Sequence, residues 1–262
     1  MPPFSEERSR LLNEGYYLVT TVLEWYQPEW FAPSLTSSKS IDFVCSFLAK
    51  QSGTITLYEA GVGKGLSCRS FLKYHNVRIM GCDVVLYDSV KELMQQFPDR
   101  ISVDENTFYD SLQNLPDESI DIFYADNVFE HMFPDEFPAI MSLLTRNLKH
   151  GALLFLFIPN SINGPHDVST YFTKMGSKAY GFHFMEQTYH EVTESYKQYG
   201  LVPAYFTYRT IFKNYRCIPD FSGRLNKLKL GLENLAKLIP GRWFRGKFMA
   251  LAGLSTYIMR KD

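Results

Sequence analysis

The sequence lacks a hydrophobic run long enough to cross a membrane. The longest apolar run, residues 152–158, has the length of a buried strand, whereas a membrane span needs about 18 apolar residues. Residues 1–12, MPPFSEERSRLL, mix acidic and basic side chains and contain no apolar core of the kind that a signal peptide needs. Both absences argue against a membrane-spanning or secreted protein, so we expect a cytoplasmic one.

Cysteine is scarce and scattered. The four cysteines, Cys45, Cys68, Cys82 and Cys217, show none of the spacings that zinc sites or disulfide frameworks use. We therefore expect reduced thiols and no resident metal ion. Internal repeats and low-complexity runs are also absent. A chain of 262 residues with 45% hydrophobic and 21% charged side chains predicts a soluble globular protein, one domain with additions.

Acidic residues are rare in the C-terminal part of the chain. From Arg209 onward there are 12 Lys or Arg against 3 Asp or Glu, whereas residues 1–208 hold 15 against 25. The net charge of −1 therefore combines a basic annex with an acidic body. A basic annex suits phosphate groups, but no RNA-binding module and no interleaving of basic and aromatic residues accompanies it. Nucleic acid is thus a disfavoured partner.

The stretch LYEAGVGKGL, residues 57–66, predicts a loop that binds a nucleotide-type cofactor. A short apolar strand runs into Glu59 and then into glycines at alternate positions, which allow positive φ and close approach of a ligand. The dinucleotide fingerprint requires its third glycine one position later, where Leu66 stands. A Walker loop requires Ser or Thr directly after its lysine, but a glycine follows Lys64. The glycines of the loop are Gly61, Gly63 and Gly65.

The segment from Glu59 to Gly65 resembles the acid-x-Gly-x-Gly-x-Gly motif of class I S-adenosylmethionine-dependent methyltransferases. Two further segments strengthen this resemblance. The predicted strand VRIMGC ends at Asp83, about 20 residues after the loop, as expected for the acid that binds ribose hydroxyls. Residues 115–132, LPDESIDIFYADNVFEHM, are similar to the strand 4 region of the small-molecule, type 11-like branch of the family. The resemblance implies S-adenosyl-L-methionine as the cofactor.

Strands and helices alternate from residue 55 onward, which predicts an α/β fold with a parallel sheet covered on both faces. The resemblance implies a Rossmann-like, doubly wound sheet of seven strands in which only the last strand is antiparallel. We expect an N-terminal helical cap at 1–53, a cofactor-binding core at 54–209, a basic helical lid insertion at 210–253 and the final core strand at 254–262. The predicted strands are 55–60, 77–82, 100–103, 120–126, 152–158, 201–209 and 255–260, and the predicted helices of the core are 66–75, 88–97, 135–149 and 189–200.

Doubly wound sheets bind ligands beyond the carboxyl ends of their strands, so we place the candidate site there. By resemblance, the acid after strand 2, Asp83, binds the ribose, and Val84 packs on the adenine. An acid after strand 3, Asp110 more than Asp104, would accept from the adenine amino group, although a solvated loop carboxylate or a turn cap explains Asp110 equally well. The glycine loop would hold the amino-acid part of the cofactor, whose ammonium group suits the carboxylate of Glu59. The residues after strand 4 that complete the cofactor-binding set are Asp126 and Asn127.

No Asp/Asn-Pro-Pro-aromatic box follows strand 4. Such a box would resemble that of methyltransferases that act on the amino groups of nucleic-acid bases or of glutamine. We therefore expect an oxygen acceptor on a small molecule or glycan. A hydroxyl acceptor requires a general base, and histidine is the side chain best matched to neutral pH. The candidate catalytic residues are His131 and His183, which rank together, and then His166. The last two lie in segments similar to the substrate loop of bacterial polysaccharide and natural-product methyltransferases, and with Asp167 and Glu186 they could instead bind a divalent metal.

Several alternatives stay open at this level. The protein could be an RNA methyltransferase that uses the basic annex, or a non-catalytic scaffold that keeps the fold and the cofactor. The predicted helix 224–239 would either dock on the core as a lid or lie on an anionic bilayer, with Trp243 and Phe244 as anchors. The aromatic residues between 25 and 31 would either pack helices together or form a wall of the substrate pocket. The helix carries the apolar stripe Leu225, Leu228, Leu232, Leu235 and Ile239, opposite Lys227, Lys229 and Lys237.

Overall fold

The computed structural model describes residues 1–26, 39–220 and 222–262. The helices of these parts are α1 Glu6–Tyr26, α2 Lys39–Leu48, α3 Leu66–Phe71, α4 Asp88–Gln96, α5 Phe108–Gln113, α6 Phe137–Asn147, α7 Tyr189–Lys197, α8 Arg224–Leu238 and α9 Arg242–Ala252. The strands are β1 Ile55–Ala60, β2 Val77–Asp83, β3 Ile101–Glu105, β4 Ile120–Asp126, β5 Leu148–Phe157, β6 Leu201–Pro203, β7 Tyr205–Arg209, β8 Tyr215–Pro219 and β9 Thr256–Lys261.

One sheet of seven strands organises the molecule, in the order β3-β2-β1-β4-β5-β9-β6. Neighbouring strands from β3 to β5 pair in parallel, while β9 pairs antiparallel with both β5 and β6. The order reverses between β1 and β4, so their carboxyl ends form the switch point at which doubly wound sheets bind ligands. The predicted Rossmann-like α/β fold, with its last strand antiparallel, is confirmed.

Helices cover both faces of this sheet, and alternate strand residues contribute to two apolar cores. On one face, Tyr58 and Phe123 are fully buried together with residues of α5, α6 and α7. On the other face, Leu57 and Tyr124 are buried with residues of α2, α3 and α4. Side chains alternate along a strand with a period of two, so a strand covered on both faces needs apolar residues at nearly every position.

The predicted strand 201–209 is wrong in extent, because the chain leaves the main sheet at Ala204. β6 ends at Pro203, and β7 pairs with β8, a strand that we did not predict. β7 stays attached to the main sheet through Thr207, whose buried hydroxyl donates to Thr256 O over 2.6 Å. β8 has only five residues, YRCIP, and its pairing partner lies across a turn, so local sequence alone carried a weak strand signal.

Two helices, α5 and α9, were not predicted from the sequence. α5 has six residues, and it begins after Thr107, whose side chain accepts from Asp110 N. Six residues are fewer than two helical turns, so no helical period emerges from the sequence there. α9 was overlooked because we interpreted Trp243 and Phe244 as anchors that follow a helix, whereas they lie in the first turn of one.

α8 coincides with the predicted lid helix, but the side that it buries is not centred on the predicted apolar stripe. Of that stripe, Leu232 packs against the core, and Leu225 and Ile239 are half-buried. Leu228 and Leu235 of the apolar stripe are 52% and 48% exposed. Lys229, which the pattern places in solvent, is fully buried, and its Nζ donates to Thr207 Oγ1 over 2.5 Å and to Gly253 O over 2.7 Å. Polar groups of the core determine this face, because each one left unpaired would cost about 1–3 kcal/mol. The buried residues of α8 are Asn226, Lys229, Glu233 and Ala236.

Ion pairs connect the N-terminal helix α1 to the segment before α6. Arg8 forms ion pairs with Asp135 over 2.9 Å and with Glu136 over 3.1 Å. Of the aromatic residues between 25 and 31, Trp25 is 87% exposed, and residues 27–31 lie outside the described residues. Among the helices of the described parts, none combines the length and the apolar character that a membrane crossing requires.

Candidate active site

The loop between β1 and α3 has the conformation that its glycines predict. Gly61, Gly63 and Gly65 have φ angles of 70°, 54° and 75°, which side chains with a Cβ rarely adopt. A Cβ at Gly61 would lie 2.7 Å from Val128 Cγ2, so this position has no room for a side chain. The acid after β2 holds the loop in place, because Asp83 Oδ2 accepts from Gly63 N over 2.7 Å.

A cavity of about 320 Å³, here called the loop cavity, opens beside the glycine loop at the carboxyl ends of β1, β2 and β4. Leu12 and Asn13 of α1 also line it, as do Asn106 and Phe108 in the segment after β3. Sequence reasoning did not select these four residues. It did select six others that line the same cavity: Gly61, Asp83, Val84, Asp126, Asn127 and His131.

A second cavity, of about 350 Å³, adjoins the loop cavity and shares Val84, Phe108 and His131 with it. Asp110 lines this second cavity and is not among the residues of the first. Its carboxylate accepts from Thr107 Oγ1 over 2.6 Å, which is the geometry of a turn cap at the start of α5. Contact between Asp110 and the adenine stays a prediction.

Glu59 is not among the residues that line these two cavities. Its carboxylate is buried against α3, where it accepts from Ser67 Oγ and, over 3.3 Å, from Cys68 Sγ. Burial raises the pKa of Glu59 to about 8, against the opposing effect of these two hydrogen bonds. Gly63 and Gly65 are likewise absent from the lining of both cavities. Direct contact of these three residues with a cofactor therefore stays a prediction.

Asp126 forms a polar junction at the end of β4. Its carboxylate accepts from Tyr124 OH over 3.1 Å, from Asn127 Nδ2 over 2.9 Å and from Ser40 Oγ over 2.5 Å. Burial raises the pKa of Asp126, although the Ser40 and Tyr124 hydroxyls act in the opposite direction. The carboxylate thus connects α2 to β4 in the wall of the loop cavity.

Two of the three candidate bases lie side by side. The ring centroids of His131 and His183 are 4.8 Å apart, and the rings are nearly perpendicular. His131 Nδ1 lies 2.8 Å from Phe182 O, to which it donates in the neutral ring. Burial and the neighbouring His183 lower the pKa of His131 to about 4, so this ring is neutral at pH 7. His183 Nδ1 lies 2.7 Å from Glu186 Oε1, so a carboxylate orients the second ring.

His166, the third candidate base, lines a different cavity, of about 160 Å³, together with residues of β7, β8 and α9. Its Nε2 lies 3.0 Å from Asn160 O, and its backbone N–H donates to Glu186 Oε1 over 2.6 Å. The loop after β5 therefore brings the His183 ring to His131, whereas the His166 ring lines another cavity, although its backbone N–H shares Glu186 Oε1 with His183. Asp167 stabilises this loop, because it accepts from Ser169 N and Gly181 N over 2.9 and 2.7 Å.

Glu130, which we did not select from the sequence, belongs to the histidine pair. It is fully buried, neither carboxylate oxygen has a hydrogen-bond partner, and burial raises its pKa to about 8. Glu130, His131 and His183 offer metal-ligand atoms within 4.8 Å of one another, the one such group found in residues 1–26, 39–220 and 222–262. This group differs from the metal set that the sequence suggested. The expected absence of a resident metal stays a prediction. The sequence signal that could have pointed to Glu130 is an acid inside an apolar stretch.

Comparison with known proteins identifies the central domain. Residues 58–156 match a family described as the methyltransferase domain. The structure resembles 1,6-didemethyltoxoflavin-N1-methyltransferase from Burkholderia thailandensis, with a TM-score of 0.58 at 14% identity over 100% of this chain and 92% of that one. It also resembles a SAM-dependent methyltransferase from Archaeoglobus fulgidus, with a TM-score of 0.50 at 16% identity over 94% and 100% of the two chains. No curated protein matches the sequence.

The fold and the site agree with the match over residues 58–156. A seven-stranded sheet with one antiparallel strand, a glycine loop after β1 and an acid after β2 occur together at the switch point. These features accompany the match of residues 58–156 to the methyltransferase domain, and they are the ones that the resemblance to class I S-adenosylmethionine-dependent methyltransferases implies. The two similar structures, at 14% and 16% identity, support the fold and leave the acceptor open.

Proposed function

We propose that this protein transfers the methyl group of S-adenosylmethionine to an oxygen atom of a small-molecule or glycan acceptor. The observation that carries the proposal is the loop cavity of about 320 Å³, whose wall contains both Asp83 and the neutral His131. A volume of this order is usual for sites that bind cofactors and small molecules. The wall thus combines an acid for the cofactor with a proton acceptor for a hydroxyl group.

The cofactor supplies a methyl group that is already activated by its positive sulfur, so the chain has to bind, align and desolvate it. Asp83 would bind the ribose hydroxyls, with Val84 beside the adenine. The Asp83 carboxylate has a defined orientation, because Oδ1 accepts from Val85 N over 3.2 Å and Oδ2 accepts from the glycine loop. Asn106 would take the place beside the adenine that sequence reasoning gave to Asp110, since Asn106 lines the loop cavity.

His131 is the favoured proton acceptor, because it is the one candidate base that lines the loop cavity. With its Nδ1–H donated to Phe182 O, the incoming proton would bind to Nε2. A pKa of about 4 keeps His131 unprotonated at pH 7 but makes it a weaker base than one with a pKa near 7. Alignment of the acceptor and exclusion of water would therefore contribute much of the rate.

His183 and Glu186 form the competing candidate base, with a carboxylate orienting an imidazole as in hydrolase triads. His183 is not among the residues that line the loop cavity, however, and in its positive form it lowers the pKa of His131. We therefore assign His183 a positioning role, in which it adds to the effect of burial in keeping His131 unprotonated. His166 has no part in this assignment, because it lines another cavity.

Exchange of the histidines tests this assignment, with labelled cofactor, an acceptor library and mass spectrometry as the assay. His131→Ala should lower turnover by about 100-fold or more, the range for a lost general base. The kcat/KM of the wild type should be constant between about pH 8 and pH 5 and should fall near pH 4, where His131 gains a proton. His183→Ala should keep most activity but move this acidic limb to higher pH, because one of the two causes that lower the pKa of His131, the neighbouring His183, is gone while burial remains the larger one.

The matched control is His150→Ala, which removes an exposed histidine from β5. Each variant must bind S-adenosylhomocysteine in calorimetry before its turnover is compared. Near-native turnover of His131→Ala, together with loss of activity and of the acidic limb in His183→Ala, would make His183 the base. Near-native turnover in both variants, and in His166→Ala, would mean that catalysis relies on proximity and desolvation alone.

A nitrogen acceptor is the second candidate, because the similar Burkholderia thailandensis protein is described as an N1-methyltransferase. Paired hydroxyl and amine acceptors of the same skeleton distinguish the two reactions by the position of the label in the product. An RNA acceptor would give turnover that falls steeply with salt. A scaffold protein would bind S-adenosylhomocysteine and transfer no label to any acceptor.

A further inference from the structure

The solvent-facing side of α8 carries three exposed leucines among polar residues. Leu238 is 78% exposed, and Leu228 and Leu235 are also exposed on the same side, since spacings of seven and three residues fall on one helical face. The helix cannot turn these leucines inward without removing Lys229 and Glu233 from their buried hydrogen bonds. The leucine side of α8 therefore faces outward as a stable feature of the docked helix.

α9 presents a second apolar surface. Trp243 and Phe244 are each 65% exposed, and their rings contact each other edge to face at a centroid distance of 4.8 Å. Leu251, two turns further along, is 44% exposed. Lys247 Nζ lies 5.4 Å from the centre of the Trp243 ring, so a cation lies at this surface as well. Large exposed aromatic and aliphatic groups at one surface usually mark an interaction site.

The charge around these side chains is almost entirely positive. Residues 210–253 contain nine Lys or Arg and two acids, Asp220 and Glu233. Both acids are buried, at 4% and 2% exposure, so they contribute no accessible negative charge. Of the nine basic residues, Lys229 is the buried one, and the lysines 227, 237 and 247 are exposed. The solvent side of the annex is therefore cationic as well as apolar, while residues 1–208 are acidic.

We infer that this surface binds reversibly to an anionic lipid bilayer. We name it the lid face, formed by Leu228, Leu235, Leu238, Trp243, Phe244 and Leu251 with the surrounding lysines. Leucine and phenylalanine side chains gain free energy in the acyl region, while tryptophan and lysine suit the headgroup layer. Anionic lipid also attracts Lys and Arg side chains that lie near the bilayer surface.

Lipid fits the lid face better than nucleic acid does, because exposed leucines gain nothing from phosphate groups. α9 also connects the lid face to the loop after β5. Arg242 donates to Gly164 O and Arg245 to Ile162 O, each over 3.0 Å. α9 therefore links the lid face to the segment that carries His166. This inference concerns binding alone and does not depend on the acceptor or on methyl transfer.

Vesicle flotation tests the inference on the full chain. The wild type should float with vesicles that contain phosphatidylserine at low salt, and it should stay in solution with pure phosphatidylcholine. Salt at about 0.5 M should abolish flotation, because it screens exposed charges. The double variant Trp243→Ser/Phe244→Ser should lose at least about tenfold in partitioning, since it removes two interfacial aromatic groups. Trp25→Ser is the matched control, because it removes a more exposed tryptophan from α1 and should leave partitioning unchanged.

Circular dichroism and S-adenosylhomocysteine binding verify that the double variant is folded. A second readout needs no lid-face variant: in a Trp25→Phe/Trp30→Phe background, the emission of Trp243 should shift to the blue when phosphatidylserine vesicles are added. Absence of flotation at low salt, or an unshifted emission, would overturn the inference. A concentration-dependent dimer in light scattering that the double variant abolishes would also overturn it, because the lid face would then bind a second copy of the chain.

Discussion

The carboxyl edge of the sheet and the helical annex differ in the kind of side chain that they bury. At the edge, apolar strand residues lie inside, and polar residues at strand ends, such as Asp83 and Asp126, line a cavity. In the annex, α8 buries Lys229 and Glu233 and leaves Leu228 in solvent. The strands pack against apolar helix faces, whereas α8 combines apolar contacts of Leu230 and Leu232 with hydrogen bonds to N–H, C=O and hydroxyl groups. The docking surface thus decides which side of an amphipathic helix is buried.

Among the variants that test this difference in burial, exchange of Glu233 in α8 should lower the stability of the annex most. Its carboxylate accepts from Tyr189 N over 2.5 Å, from His190 N over 3.1 Å and from Asn160 Nδ2 over 3.3 Å. Glu233→Ala leaves these donors unpaired in a buried site and should lower the free energy of unfolding by about 2–4 kcal/mol. Glu233→Gln, which keeps one acceptor oxygen, should cost clearly less. Urea denaturation measures both values, and equal losses would mean that the acceptor oxygen is irrelevant to docking.

An intermediate effect is expected at the carboxyl edge. Asp83→Ala should weaken binding of S-adenosylhomocysteine by about 1.5–3 kcal/mol, the range for a lost charge-assisted hydrogen bond. Isothermal calorimetry measures this affinity, and no binding of NAD is expected. Asp88→Ala, at an exposed carboxylate in the first turn of α4, is the control and should bind as the wild type does. Unchanged affinity in Asp83→Ala would exclude Asp83 from the cofactor site.

The smallest effect should come from the exposed leucines of α8. Leu235→Ala should change the free energy of unfolding by no more than about 0.5 kcal/mol, as is usual at the surface. The same exchange at Leu154, fully buried in β5, should cost about 2–5 kcal/mol because it removes buried methyl groups and leaves a cavity. Thermal or urea unfolding compares the two variants directly. A large loss in Leu235→Ala would mean that the apolar stripe, and not the polar face, packs on the core.

Prediction from the sequence succeeded wherever structure depends on neighbours in the chain. β1 and β4 have the predicted bounds, and the three loop glycines have positive φ. It was less successful where a partner is distant. The contact of His131 with His183, the hydrogen bonds that bury Glu233 of α8, and the burial of Glu130 beside the histidine pair left no periodic signal in the sequence.

The sequence by itself determined the α/β class, the order of the motifs and the presence of polar residues at the strand ends. Alternation, turn chemistry and helical period act over a few residues, so they can be recognised without the fold. Only the tertiary structure decided that His183 joins His131 while His166 does not, and that Glu59 is buried against α3. It also decided the buried face of α8, because Glu233 bonds to a backbone N–H 44 positions away in the chain. Hydrogen-bond partners at such separations come together only when the chain folds.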